Sequence, residues 1–322
     1  MPELTGLDPR KNFTTFQLMI SLLITTRIHA QRQIGDEMPG NTDDKKPYPW
    51  LRNITDCHMH LIGPEHRLPF SPGLSKVFPE WSGADYKKMA ESAGIERSVI
   101  TQPPFYGPDN RNLLDGLSQL GAHAKGIAVV NANLPDRDYL ELQSAGVVGA
   151  NFYLMPDGEL DWPGVSPANE RIQDYGWQTQ LQFNGREMVS RFGQISALKG
   201  PLVIDHIGKF QPSVDTSDIA FRQLCRLLDS GRCYVKLSAP YESSSNESPY
   251  WQQAGSLARF LIKEYPYALV WGSNWPHLGL KRRSDWPSTE AALRCLDTWG
   301  ADNKILEQIL VTTPTKLFGF DL

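Results

Sequence analysis

The chain has 322 residues, 40% of them hydrophobic and 21% charged, with a formal net charge of −4. This is the balance of an ordinary folded protein with one large domain or two small ones. The lack of a basic block argues against a nucleic-acid or anionic-membrane partner. The four cysteines (Cys57, Cys225, Cys233, Cys295) have neither knuckle nor disulfide-framework spacing, and read as reduced thiols of a cytoplasmic protein.

Residues 1–50 stand apart. The apolar run FQLMISLLI (16–24) is too short to span a bilayer. Its length suits the core of a signal peptide, yet fifteen residues precede it, Asp8 among them, and Arg27 follows closely. A poorly ordered extension is expected over 1–50, ending in the polar stretch GDEMPGNTDDKKPYPW (35–50), with one folded domain over 51–322.

From residue 53 the chain alternates. Short runs rich in β-branched residues predict strands at 53–61, 97–104, 125–133, 146–154, 177–185, 201–209, 233–241 and 268–277. Helical spacing appears between them at 84–94, 110–122, 221–231 and 251–265, and again at 301–320 behind the capping residue Asp302. Eight strands joined mostly by helices predict a (β/α)₈ TIM barrel, and several runs are apolar on both faces, as buried parallel strands require. A doubly wound open sheet or two domains would compete, but no Gly-rich phosphate loop follows any strand.

In such a barrel, chemistry sits at the C-terminal ends of the strands. His58 and His60 end strand one two residues apart, so both side chains project to the same side, as a chelate or a pair of polarising donors would. His206 ends strand six. If it faces the axis, its neighbour Asp205 faces the helices and is structural. Asn274 ends strand eight; it cannot act as a base but can hold a hydroxyl. Gln102, Gln182 and Tyr241 are candidate hydroxyl contacts, His277 either joins the rim or pins its loop, and Lys236 is read as facing outward.

The ordered motifs TDCHMHLIGP (55–64), VIDHIGK (203–209) and WGSNWPH (271–277) resemble the amidohydrolase superfamily. More narrowly they resemble its lactone-processing branch, which includes pyrone-dicarboxylate lactonases and galactarolactone isomerases. The lactonases carry Asp where this chain has Asn274, whereas the isomerases share Asn in an NWPH turn. The resemblance thus implies an isomerase that moves a lactone ring, in which a substrate hydroxyl replaces water as nucleophile. Its implied catalytic residues are His58, His60, His206 and Asn274.

There are departures from both groups. The isomerases lack the first histidine of the strand-one pair, and Asn151 stands where the lactonases have a carboxylate-gripping arginine. A substrate contact at Asn151 then suits a neutral or singly charged sugar-acid lactone. The carboxylated lysine of binuclear superfamily sites has no counterpart on strand four. His58, His60 and His206 match the ligand number of a single zinc, but the branch includes metal-free members, and no metal is expected to be required. A lactone hydrolase using a histidine or zinc-bound water, and a non-catalytic binding protein on the same barrel, fit the same residues. The expected partner is a small-molecule lactone; a homo-oligomer is common for such barrels.

Overall fold

The structure is a computed structural model that describes residues 46–70, 78–155, 161–243, 251–280 and 287–321. The signal-like run and most of the expected extension lie outside these residues. Among the described residues, no helix is long and apolar enough to cross a membrane.

All eight predicted strands are present: β1 (Thr55–Met59), β2 (Arg97–Thr101), β3 (Ala124–Ala128), β4 (Val147–Tyr153), β5 (Gln178–Gln182), β6 (Leu202–Ile204), β7 (Cys233–Leu237) and β8 (Leu269–Trp271). They form one sheet in sequence order, and every adjacent pair is parallel. Helices lie between them: α1 (Gly83–Ala93), α2 (Arg111–Leu120), α3 (Asp136–Ser144), α4 (Trp162–Gln173), α5 (Met188–Ala197), α6 (Ile219–Leu228) and α7 (Gln252–Glu264). The chain closes with α8 (Thr289–Thr298), α9 (Asn303–Glu307), a π-helical turn at Gln308–Thr312 and α10 (Thr313–Phe318). Local chemistry sets the helix ends. Ser82 and Asp85 make a reciprocal capping box on α1, and Gly94 ends it with φ 78°. The fold is a (β/α)₈ barrel.

Two apolar layers support it. The larger lies between strands and helices and includes Phe152, Trp177, Leu181, Leu224 and Leu261. The smaller is formed by Cys57, Val99, Ile127 and Val270 with Phe318 and Phe320 from the end of the chain. Arg97 and Lys125, at the starts of β2 and β3, lie over the Phe320 ring. The C-terminus therefore plugs the N-terminal end of the barrel and leaves the opposite end for chemistry. Tyr48, at the start of the described chain, is already part of the fold: its hydroxyl donates to the Leu293 carbonyl on α8.

The ring closes between β8 and β1, just past the last residue of β8. Asn274 N donates to His58 O at 2.8 Å, and His60 N donates to Trp275 O at 2.8 Å. Asp56 clamps the same seam from the side of α1. It accepts from His58 N (3.1 Å), Ser273 N (2.9 Å), Ser273 Oγ (2.6 Å) and Tyr86 Oη (3.1 Å). Burial pushes its carboxyl up to about 6, while these hydrogen bonds hold it down. Gly272 permits the close approach, since a Cβ there would stand 2.5 Å from His58 Cβ and 2.8 Å from His58 N.

Gly272→Ala should therefore lower unfolding free energy by about 1–3 kcal/mol in urea titration, through overpacking against backbone that cannot move aside. Gly193→Ala, where a Cβ meets nothing within 4 Å, is the control and should not destabilise. Equal stability of the two variants would mean that His58 does not press on β8 as described.

Candidate active site

The seam residues carry the candidate chemistry. His58 and His60 lie with ring planes at 86° and Nε2 atoms 3.2 Å apart. His60 Nδ1 is 2.8 Å from the Thr101 carbonyl, which can only accept. His60 therefore carries its proton on Nδ1, and its Nε2 is an acceptor. His58 Nδ1 faces Lys236 Nζ at 2.9 Å. An ammonium only donates, so His58 Nδ1 accepts, and its Nε2–H is donated to His60. The three groups form one directed chain: Lys236 to His58 to His60 to the Thr101 carbonyl.

Lys236 corrects the sequence reading. It faces the barrel interior with no solvent exposure. Besides His58, it donates to Gln180 Oε1 at 2.6 Å and pairs with Asp205 Oδ1 at 3.1 Å. A buried ammonium is tolerated only with such partners, and they come from three other strands or their ends. Asp205 is the second correction. It does not face the helices; its carboxylate is buried beside Lys236 and 3.7 Å from His58 Nδ1. Strand alternation fails here because the backbone turns left-handed at His206 (φ 56°) and Ile207 (φ 55°). Asp205 and His206 consequently reach the same interior.

The His206 ring lies tilted at 55° to the His58 ring, with centroids 4.7 Å apart. Its Nδ1 is 2.8 Å from Ser238 Oγ, just past the end of β7, which leaves Nε2 for other chemistry. Positive φ recurs at Lys209, Ala239, Asn274 and His277. Each non-glycine residue in this region costs about 1 kcal/mol or more, and such strain concentrates at functional sites.

Asn274 donates Nδ2 to Tyr241 Oη at 2.7 Å, and Tyr241 Oη lies 3.1 Å from His277 Nδ1. The Tyr241 proton is thereby left for His277, which joins the site by pinning Tyr241. Asn274 Oδ1 is buried without a hydrogen-bond partner among the described residues, as are Gln102 Oε1 and Asn151 Oδ1. Gln102 is anchored through Nε2 to the Asp109 carbonyl. Asn151 pairs in register with Gln180, and Tyr153 with Gln182, so β4 and β5 present these residues as facing neighbours. A buried acceptor without a donor carries a penalty of about 1–3 kcal/mol that a bound hydroxyl would relieve. Beside Tyr153, Lys209 Nζ sits 5.8 Å from its ring centre and 3.2 Å from Glu242.

Sequence reasoning missed Ser238, Gln180, and the roles of Lys236 and Asp205. The alternation of QTQLQ (178–182) was a usable signal for Gln180: polar residues at period two in a buried strand point into the barrel.

A divalent ion would meet a donor set already engaged by Lys236. His58, Asp205 and His206 each bring one ligand atom within 4.8 Å of the others. An ion on His58 Nδ1 and Asp205 would compete with Lys236 for the same lone pair and lie against its charge. An ion on the Nε2 atoms of His58, His60 and His206 would require the His58 proton on Nδ1, donor against donor with Lys236. Either arrangement conflicts with the ammonium, so the residues as placed do not fit a resident metal.

A (β/α)₈ barrel whose interior histidines come from β1 and the end of β6, facing a polar turn after β8, has the layout of a hydrolase-type barrel enzyme. The family is shown directly: the chain belongs to the Amidohydrolase family, whose model matches residues 55–320. It is 29% identical over 271 residues to D-galactarolactone isomerase of Agrobacterium fabrum, covering 83% of this chain and 91% of that protein. It is 25% identical over 274 residues to 2-pyrone-4,6-dicarboxylate hydrolase of Comamonas testosteroni, covering 82% and 89% respectively. An apo crystal structure from Agrobacterium tumefaciens superposes with a TM-score of 0.75 at 28% identity, covering 84% of this chain and 97% of that one.

Burial lowers the pKa of all four site histidines. His58 and His206 fall well below 6.5, His60 falls below it, and His277 falls to about 4. Such a group binds its proton more readily unfolded, so the stability it contributes is whole above pH 6.5 and is lost as pH falls toward the folded value. For His277 alone this is about 3 kcal/mol. Asp56 works in the opposite direction, gaining as pH falls from 6 toward 3.8, but it is one group against four. Unfolding free energy should therefore drop by several kcal/mol between pH 7.5 and 5 in urea titrations. A flat profile would mean that the site holds charged histidines when folded.

Proposed function

We propose that this Amidohydrolase-family enzyme acts on a lactone of a sugar acid or related hydroxy acid and moves the ring rather than opening it. The observation that carries this reading is Asn274 at the end of β8. Its Nδ2 is held by Tyr241, so its free Oδ1 is an oriented, uncharged acceptor. An amide oxygen is too weak a base to make hydroxide from water, but it can hold a substrate hydroxyl against a carbonyl carbon.

The steps balance without water. A substrate hydroxyl, accepted by Asn274 Oδ1, attacks the lactone carbonyl carbon and passes its proton to His206 Nε2. The acyl bond to the old ring oxygen breaks, and that oxygen takes the proton back from His206. Ser238 Oγ can donate or accept at His206 Nδ1, so the ring can take and return a proton in place. The unpartnered Gln102 and Asn151 oxygens, with Gln182 and Tyr241, would receive the remaining hydroxyls. A relative named as a lactone isomerase supports the ring-moving reading, and one named as a hydrolase supports the lactone class.

The test is NMR of the protein with 1,5- and 1,4-lactones of sugar acids in ¹⁸O-water. Interconversion of the two ring sizes without ¹⁸O in the carboxyl is expected. Ring-opened acid carrying ¹⁸O would overturn the isomerase reading in favour of a hydrolase, and binding without turnover would favour a non-catalytic protein. Asn274→Asp supplies a carboxylate base at the same place and should introduce ¹⁸O-labelled acid that the parent does not make. Asn274→Ala should slow isomerisation by roughly 10–100-fold, the loss of one positioning hydrogen bond to a reacting group.

A further inference from the structure

Lys236 has no part in the steps above, yet it is the most completely enclosed cation among the site residues. Its Nζ touches acceptors from three separated parts of the chain: His58 Nδ1 at 2.9 Å, Gln180 Oε1 at 2.6 Å and Asp205 Oδ1 at 3.1 Å. These acceptors overlap the one group of side chains spaced to bind a metal ion among the described residues, His58, Asp205 and His206.

We propose that Lys236 is a tethered cation that occupies the charge position of a divalent ion between His58 and Asp205, and that it fixes the tautomers of both β1 histidines. The reasoning is one of donors and lone pairs. An ammonium N–H on His58 Nδ1 forces the His58 proton to Nε2. That Nε2–H needs an acceptor, and His60 Nε2, 3.2 Å away, provides it. His60 must then carry its own proton on Nδ1, where the Thr101 carbonyl accepts it at 2.8 Å. One charge thus sets two rings, and it sets them in opposite tautomers.

The same logic says what happens without the charge. With an apolar side chain at 236, Asp205 Oδ1, 3.7 Å from His58 Nδ1, becomes the remaining ionic partner on that side of the ring. In the metal-free variant the His58 proton moves to Nδ1. An ion that enters the space left by Nζ displaces that proton and meets His58 Nδ1, Asp205 and His206, whose ligand atoms lie within 4.8 Å of one another. Lys236 is therefore a positioning residue acting through His58, and it separates a metal-free site from a metal-binding one by a single side chain. This goes beyond the lactone reading and does not depend on whether the ring moves or opens.

The experiment uses the full chain labelled with ¹⁵N only in histidine, with signals assigned through His58→Gln and His60→Gln. The parent should show His58 protonated on Nε2 and His60 on Nδ1. After exposure to Zn²⁺ and gel filtration, it should hold no zinc that depends on His58. Lys236→Met should reverse the His58 tautomer and retain one zinc per chain, lost again in the double variant with His58→Gln. A parent with the His58 proton on Nδ1, or with stoichiometric zinc that His58→Gln removes, overturns the proposal. So does a folded Lys236→Met that gains neither change. If Lys236→Met does not fold, the two parent measurements decide. Neither readout requires turnover, so failure here is distinct from failure of the proposed reaction.

Discussion

The barrel seam and the candidate active site are the same hydrogen bonds. Eight parallel strands can close only if the last meets the first, and here they meet through the backbone of His58, His60, Asn274 and Trp275. The side chains that would do chemistry are consequently mounted on the most constrained junction in the fold. Asp56 reinforces it by tying β1, the turn after β8 and α1 to one buried carboxylate. Positioning within a fraction of an ångström, which catalysis by alignment requires, follows from closure itself rather than from a separate scaffold.

Around that junction the electrostatics are unusual for a cluster of histidines. Burial keeps the rings neutral, and a fixed ammonium and carboxylate supply the charge. Neutral imidazoles are weak acids and weak bases, but each can donate and accept at once. That suits a reaction whose proton leaves one substrate oxygen and returns to another. A charged carboxylate at the end of β8 would favour activation of water; the amide found there does not. The protein's free energy is spent on holding groups in place, as the run of left-handed residues from His206 to His277 shows.

Much of this was legible in the sequence. The eight β-branched runs gave the strands and their order, and HMH, VIDHIGK and SNWPH marked three strand ends. What stayed hidden depended on partners distant in sequence. A lone lysine in CYVKL reads as outward-facing because inward burial is tolerable only with several acceptors, and those of Lys236 come from residues 58, 180 and 205. Asp205 was misread because strand alternation was carried from Asp205, whose backbone is still extended, to His206, where the backbone turns left-handed. Of the helices, α4 has Pro163 in its first turn and contains Pro167, which hides its period. The short α3 has only Tyr139 and Leu142 buried, too little apolar pattern for recognition.

The plug formed by Phe318 and Phe320 makes the base of the barrel a long-range contact. The interior floor that β1, β2, β3 and β8 share is filled by side chains that follow all eight strands in the chain. The first strand therefore waits for α10 and Phe320 before its inner face is dry, and the entropy of closing that long loop must be met before the contact rewards it. An intermediate without the plug in place is at most an open sheet with a wet base, whose unpaired edge strands invite pairing with another copy.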